Sequence, residues 1–276
     1  MRLALAQFES EKTRAASIEK AFAMMEQAAE QHADVICFPE MAFDPFFPQE
    51  RAKSEYFKLA EPVPGPTTKL FQDKAKQLGL VTVLNLFEEA SPGEHYDCSP
   101  VIDKDGAYLG KARMMHIAEE PYFNEKFYYW SGNTGYPVFD TQAGKIGVAV
   151  CYDRHFPEQM RALVIQGAQL ILSPFVGIMN DPMELYRIEM QTYWFQNQIF
   201  TGTVNRAGKG ITADFAGESF ITDPSGAVIA IGKSREEDLI IADLDLSLIS
   251  HWREHRRFLR DRRPETYGIL TKIPGV

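Results

Sequence analysis

The strongest constraint on this chain is a rhythm. Short apolar runs with the look of strands alternate with stretches whose apolar positions recur at helical spacing, and the cycle occurs in both halves. Leu3 to Phe8 is an apolar run, Arg14 to His32 has helical periodicity, and VICFPE resumes the strand pattern. A helical stretch from Thr67 to Leu78 leads into LVTVLNLF, which reads as one strand, and SPVIDKDGAYLGKARMMH reads as a hairpin turning at Asp105-Gly106. The second half repeats the scheme. KIGVAVCYD, AQLILSPF and IFTGTVNR are strands separated by helices at Pro157 to Gly167 and Met183 to Gln198, and ESFITDPSGAVIAI closes as a hairpin around Pro224 and Gly226. Such alternation predicts α/β layering, with helices covering the outer faces of sheets. No repeat, low-complexity tract or linker breaks the pattern, and 276 residues lie within the reach of one α/β domain, so 1–276 is expected to fold as a single domain.

Charge and cysteine usage narrow the function. A formal charge of −9 argues against nucleic-acid or anionic-membrane partners, both of which reward a basic face; a small-molecule ligand is expected instead. The 3 cysteines are odd in number and lack paired spacing, and MRLALAQFESEK meets charge too early for a signal peptide or membrane span. Both features fit a reducing, cytoplasmic setting. From about residue 251, HWREHRRFLRDRRPETYG interleaves arginines with Trp252, Phe258, Leu259 and Tyr267. That tail is either a solvated basic face or a surface that docks on a partner subunit.

The chemistry centres on VAVCYDRHFPE. A strand of small and β-branched residues ends at Cys151, and Pro157 is suited to opening a helix. A thiol at such a strand-to-helix turn stands at the sheet's end, where the Tyr152 N–H is placed to meet a developing oxyanion. An isolated cysteine is more often a small buried hydrophobe, and Cys37 and Cys98 keep that reading. Glu40 ends the strand VICFPE, and strand ends on one edge converge on a crevice, so it is a candidate general base for Cys151. Glu125, in the aromatic segment PYFNEKFYY, is the third carboxylate, with a solvent-facing glutamate as the plain alternative.

FPEMAFDPFFP, GKARMMHIAEEPYFNEKFYY, GVAVCYDRHFPE, VNRAG and DRRPETYG, in that order along nearly the whole chain, resemble the nitrilase superfamily of carbon–nitrogen hydrolases. The closest similarity is to the N-carbamoyl amino acid amidohydrolase, β-ureidopropionase and N-carbamoylputrescine amidase branches. The resemblance implies a four-layer αββα sandwich, homodimerisation through flanking helices and the C-terminal tail, and no metal or organic cofactor. It implies Cys151 as nucleophile, Glu40 as general base and Glu125 as the assisting glutamate.

The family's catalytic lysine does not match. Its frame runs arginine, lysine, one residue, histidine, isoleucine; here Arg113, Met114, Met115, His116 and Ile117 fill that frame, so Met114 stands in the lysine's place. Lys111 lies three positions away, and an odd separation on a strand turns it to the other face. Three explanations compete: a cationic or amidine-like substrate that replaces the ammonium, a pseudoenzyme that only binds, or an amidase trapped by substitution at position 114. The complete set of Cys151, Glu40 and Glu125 favours a working hydrolase. Arg154 and His155 occupy the place where the carbamoyl amino acid branch reads a substrate carboxylate, although Arg154 is equally suited to an ion pair with Asp153 or Glu158. Phe46, Phe47, Tyr122, Phe123, Phe175 and Trp194 are candidates for an apolar pocket, or for core.

Overall fold

The computed structural model describes residues 1–273. The first sheet is built from β1 (Arg2–Gln7), β2 (Val35–Cys37), β3 (Val81–Val83), β4 (Leu86–Ser91), β5 (Glu94–Ile102) and β6 (Tyr108–Arg113). A short hairpin, β7 (Glu119–Glu120) and β8 (Phe123–Asn124), leads to the second sheet: β9 (Val138–Thr141), β10 (Gly144–Val148), β11 (Leu170–Phe175), β12 (Phe200–Asn205), β13 (Phe220–Thr222) and β14 (Val228–Ile231). The chain then returns, and β15 (Asp238–Asp243) pairs antiparallel with β1 at the edge of the first sheet. β1, β2 and β3 are mutually parallel, as are β10, β11 and β12, which is the arrangement that helical crossovers produce.

Strand alternation decides the layers. Leu3, Leu5, Val35, Cys37, Val81 and Val83 point from the first sheet into one core with Ile146, Val148, Leu170 and Leu172 of the second. Their neighbours Ala4, Ala6 and Ile36 face the other way, onto Ala21 and Met25 of α1 (Arg14–Glu30) and Phe71 of α2 (Pro66–Leu78). On the far side Ile171 packs with Leu163 of α3 (Pro157–Ile165) and with Met190 and Trp194 of α4 (Met183–Asn197). The result is the predicted αββα sandwich. A one-residue register slip would exchange the inner and outer sets of every strand, so the pattern fixes the pairing. The sheets press closely at Gly202, where a Cβ would lie 2.8 Å from Leu5 Cδ2 and 2.9 Å from Leu3 Cδ2.

The helices begin where local chemistry permits. The Thr13 hydroxyl accepts from the Ala16 N–H at 3.2 Å to cap α1, and Pro66 and Pro157 open α2 and α3 at a position with no N–H to lose. Both predicted hairpins form, with Gly106 (φ 84°) and Gly226 (φ 89°) taking the left-handed conformation their turns require.

Two strand readings need correction. LVTVLNLF is not one strand: β3 and β4 pair with successive stretches of the same side of β5, opposite β6, and the chain breaks between them at Leu84-Asn85. The buried Asn85 amide accepts from the Met41 N–H (2.8 Å) and donates to Asp97 and to the Ser99 hydroxyl (3.1 Å), partners that no local pattern announces. VICFPE is strand only to Cys37, so Glu40 stands in the turn beyond the strand rather than at its last position. At the C-terminus, α5 (Ser247–His255) and a 3₁₀ segment (Pro264–Thr271) leave Phe258, Tyr267, Ile269 and Leu270 exposed.

Candidate active site

Cys151 sits just past β10, at the head of a 3₁₀ turn (Cys151–His155) that feeds α3. Its φ of 43° is left-handed, an unfavourable state for a residue with a Cβ, typically costing about 1–3 kcal/mol. The surroundings hold it there. Asp153, two residues on and buried, accepts from the N–H groups of Met115 (3.1 Å) and His116 (2.9 Å), and pairs with His116 Nδ1 at 2.7 Å. Asp153 therefore ties the cysteine turn to the segment that follows β6.

Glu40 is fully buried, and its backbone is pinned from two sides. Asn85 holds the Met41 N–H, while the buried guanidinium of Arg206 donates to the carbonyl oxygens of Glu40 (3.2 Å), Met41 and Asp44 (3.0 Å). Burial lowers Arg206 to about 10, which leaves it charged at neutral pH. The Glu125 carboxylate is also fully buried rather than solvent-facing: Oε2 accepts from the Ala118 N–H at 3.1 Å. Glu40, Glu125 and Cys151 each bring one atom to within 4.8 Å of the others.

A third buried carboxylate completes the cluster. Asp97, on β5, accepts from Asn85 through Oδ1, and Oδ2 has no donor. Among the described residues no donor outside this cluster reaches either oxygen of Glu40; only the Asp97 carboxyl and the Cys151 thiol stand beside it, so the two acids titrate together. Desolvation first, then the charges of Asp97 and Glu125, push Glu40 well above the usual carboxylate range. Desolvation raises Asp97 to about 7 and Glu125 to about 8. The Cys151 thiol is pushed up by burial and by Glu40, and pulled back by Arg154.

Cys151 and Glu125 open onto a cavity of about 260 Å³ lined also by Ala118, Glu120, Phe123, Tyr152, Arg154, His155, Val176, Asp181 and Tyr186. Arg154 is 3% exposed; its Nη1 donates to the Cys151 carbonyl (2.8 Å) and approaches Sγ at 3.7 Å. Its guanidinium lies 4.7 Å from the ring centroids of both Phe175 and Tyr186. The alternative of an ion pair with Asp153 or Glu158 is not what the structure shows: Asp153 serves His116 and its neighbours. His155 pairs with Glu189 at 2.8 Å.

The carbon-nitrogen hydrolase family model matches residues 2–254. The chain belongs to that family. This carbon-nitrogen hydrolase is 35% identical over 268 residues to the N-carbamoylputrescine amidase of Solanum lycopersicum, covering 91% of this chain and 88% of that protein. It is 30% identical over 284 residues to a citrullinase of Francisella tularensis, covering 99% and 98%. Its fold superimposes on the crystal structure of a carbon-nitrogen hydrolase from Helicobacter pylori G27 with a TM-score of 0.93 at 26% identity, covering 99% and 98%.

Within this carbon-nitrogen hydrolase the position-114 frame resolves physically. Lys111 points away from Cys151: its Nζ donates to Glu88 and to the Val63 carbonyl at 2.6 Å, and Arg113 grips the same carboxylate at 2.7 Å. Met114 is fully buried in the central core that also holds Cys151. Neither Met114 nor Phe175 lines the cavity, which corrects their assignment as substrate contacts; Tyr152, Arg154 and His155 do line it. Of the aromatic candidates, Phe123 reaches the cavity, Tyr122 is exposed, and Phe46, Phe47 and Trp194 are core. Sequence reading missed Asp97, Asp153, Asp181 and Tyr186. The available signal for Asp97 was a charged residue inside the strand-like run EHYDCSPVID, where a carboxylate is seldom buried without purpose. Glu40, Glu125 and Cys151 also have the donor types and proximity to hold a divalent ion such as zinc. No helix among the described residues is long and apolar enough to cross a membrane.

Proposed function

We propose that this chain hydrolyses a non-peptide C–N bond, an amide or N-carbamoyl group of a small molecule, through an acyl-enzyme on Cys151. Glu40 serves as general base, Glu125 assists, and Met114 takes the place of the family's lysine. The observation that carries the reading is the convergence of one atom each of Glu40, Glu125 and Cys151 within 4.8 Å of one another, beside a small cavity that Glu125 and Cys151 line. The relatives named for N-carbamoylputrescine and citrulline cleavage support a carbamoyl-bearing substrate.

The chemistry follows from the environment. The thiol gives its proton to Glu40 once the Glu40–Asp97 pair has released its own, and Sγ attacks the carbonyl carbon. The oxyanion is met by the Tyr152 N–H at the start of the turn, and Arg154 favours the thiolate electrostatically. Glu40 passes the thiol's proton to the departing nitrogen, while Glu125, its carboxyl raised by burial to about 8, keeps its own proton and steadies that nitrogen through a hydrogen bond. Water then takes the leaving group's place, and Glu40 accepts its proton to release the acid product. A panel of N-carbamoyl amines, ω-amides, nitriles and amidines should yield ammonia, with Glu40→Gln abolishing release and Cys151 alkylated well ahead of Cys37 and Cys98. Ligand binding without turnover, unaffected by Glu40→Gln, would identify a binding protein on the same fold.

A further inference from the structure

The carboxylates beside Cys151 have more acceptor atoms than the protein supplies donors. Glu40 Oε1 and Oε2, Asp97 Oδ2 and Glu125 Oε1 are all buried, and among the described residues no donor outside the acids themselves and the Cys151 thiol serves them. Buried acceptors left this way are costly unless a ligand or proton meets them. The neighbouring cations are committed elsewhere. Lys111 is bound to Glu88, and the two Nη groups of Arg206 donate to backbone carbonyls and the Ser10 hydroxyl. Arg154 alone faces Cys151, against three carboxylates. Met114 adds an apolar side chain to the same core and no charge.

A neutral amide or ureido group fits this imbalance poorly, because its carbonyl oxygen is one more acceptor. A guanidinium or amidinium has the same planar shape, carries N–H donors at every nitrogen, and brings a positive charge. We propose that the group cleaved at Cys151 is the substrate's guanidinium or amidinium, and that Glu40 and Glu125, backed by Asp97, bind it as a cation. This rests on the Cys151 reading above and puts a cationic group in place of its neutral amide or N-carbamoyl group.

The reaction balances without a further reactant. The Cys151 thiolate adds to the central carbon, a C–S bond forms, and the C=N π pair moves onto nitrogen. The proton held by Glu40 passes to one –NH₂, that C–N bond breaks, and ammonia leaves. The resulting S-amidino cation is still seated on the carboxylates. Water adds to its carbon and gives a proton to Glu40, then the C–S bond breaks with its electron pair going to sulfur. A guanidinium and water thus become a ureido compound and ammonium; an amidinium becomes an amide and ammonium.

Two alkylating probes that share a chloride leaving group isolate the charge: 2-chloroacetamidine, cationic, and 2-chloroacetamide, neutral. Each rate of Cys151 labelling, read by peptide mass and divided by that reagent's rate with glutathione, gives a preference. The expected result is about tenfold or more in favour of the amidine for the unaltered chain, lost or inverted in Met114→Lys and kept in Met114→Leu. The unaltered chain's ratio decides even where the lysine variant does not fold. Equal or faster labelling by the amide overturns the proposal and leaves the Cys151 reading intact. Labelling of Cys37 or Cys98 ahead of Cys151 by both reagents overturns both. In turnover, ammonia and ureido product from ω-guanidino acids and alkylguanidines support the proposal, whereas a higher kcat/KM for the matching ureido compounds refutes it.

Discussion

Asp97 offers a test of the site's electrostatics that needs no substrate. Burial raises its carboxyl from 3.8 to about 7, whereas in the unfolded chain it returns to the ordinary aspartate value. A group whose folded pKa is raised holds a proton in the native state across the window between the two values. Stability therefore falls as pH climbs from about 4 through about 7, and the deficit is complete above that window. The rise, 7 − 3.8 or about 3 units, corresponds to roughly 4 kcal/mol if Asp97 bore all of it. Glu40 shares the proton, so about half of that, near 2 kcal/mol, belongs to position 97. Asp97→Asn removes the ionisation, keeps an oxygen for the Asn85 amide and turns an NH₂ toward Glu40. Urea unfolding near pH 8.5 should show the variant more stable than the parent by about 2 kcal/mol, or about 4 °C or more in Tm, with the gain largely gone near pH 5. An equal difference at both pH values would refute the reasoning. So would a parent chain that gains stability between them.

Three further outcomes follow from the same geometry. Met114→Lys should raise hydrolysis of neutral amide or carbamoyl substrates by roughly 10²–10³, the worth of one oxyanion donor, while Lys111→Met leaves it near its starting level because Arg113 still holds Glu88; steady-state ammonia release measures both. Arg154→Met should move the pH midpoint of Cys151 alkylation upward, since the cation favouring the thiolate is gone; an unmoved midpoint would exclude that role. We also propose that the exposed apolar tail docks on a second copy of the chain, so Ile269→Glu with Leu270→Glu should reduce the particle mass seen by light scattering, and an unchanged mass would count against it.

The layers were legible because each strand residue answers to one of two faces. Leu3 and Leu5 turn to one core, Ala4 and Ala6 to another, and the alternation in sequence is the alternation in space. Cys151, Glu40 and Glu125 were legible as candidates through their motifs, and the turns just past β10, β2 and β8 bring them together. What stayed hidden depends on partners far away in the chain. Asn85 looked like a polar interruption of a strand, and its role exists only because Met41 and Asp97 lie across from it. Asp97 went unread because nothing local says that β5 is buried on both faces. The two features that set the site's charge are nonetheless neighbours: the Met114 N–H donates to the Asp97 carbonyl at 3.0 Å. One position withholds a cation and the other supplies an anion, at facing backbone positions of one site. Three buried carboxylates served by no donor outside their own cluster and the thiol suit a site whose positive charge arrives with its ligand.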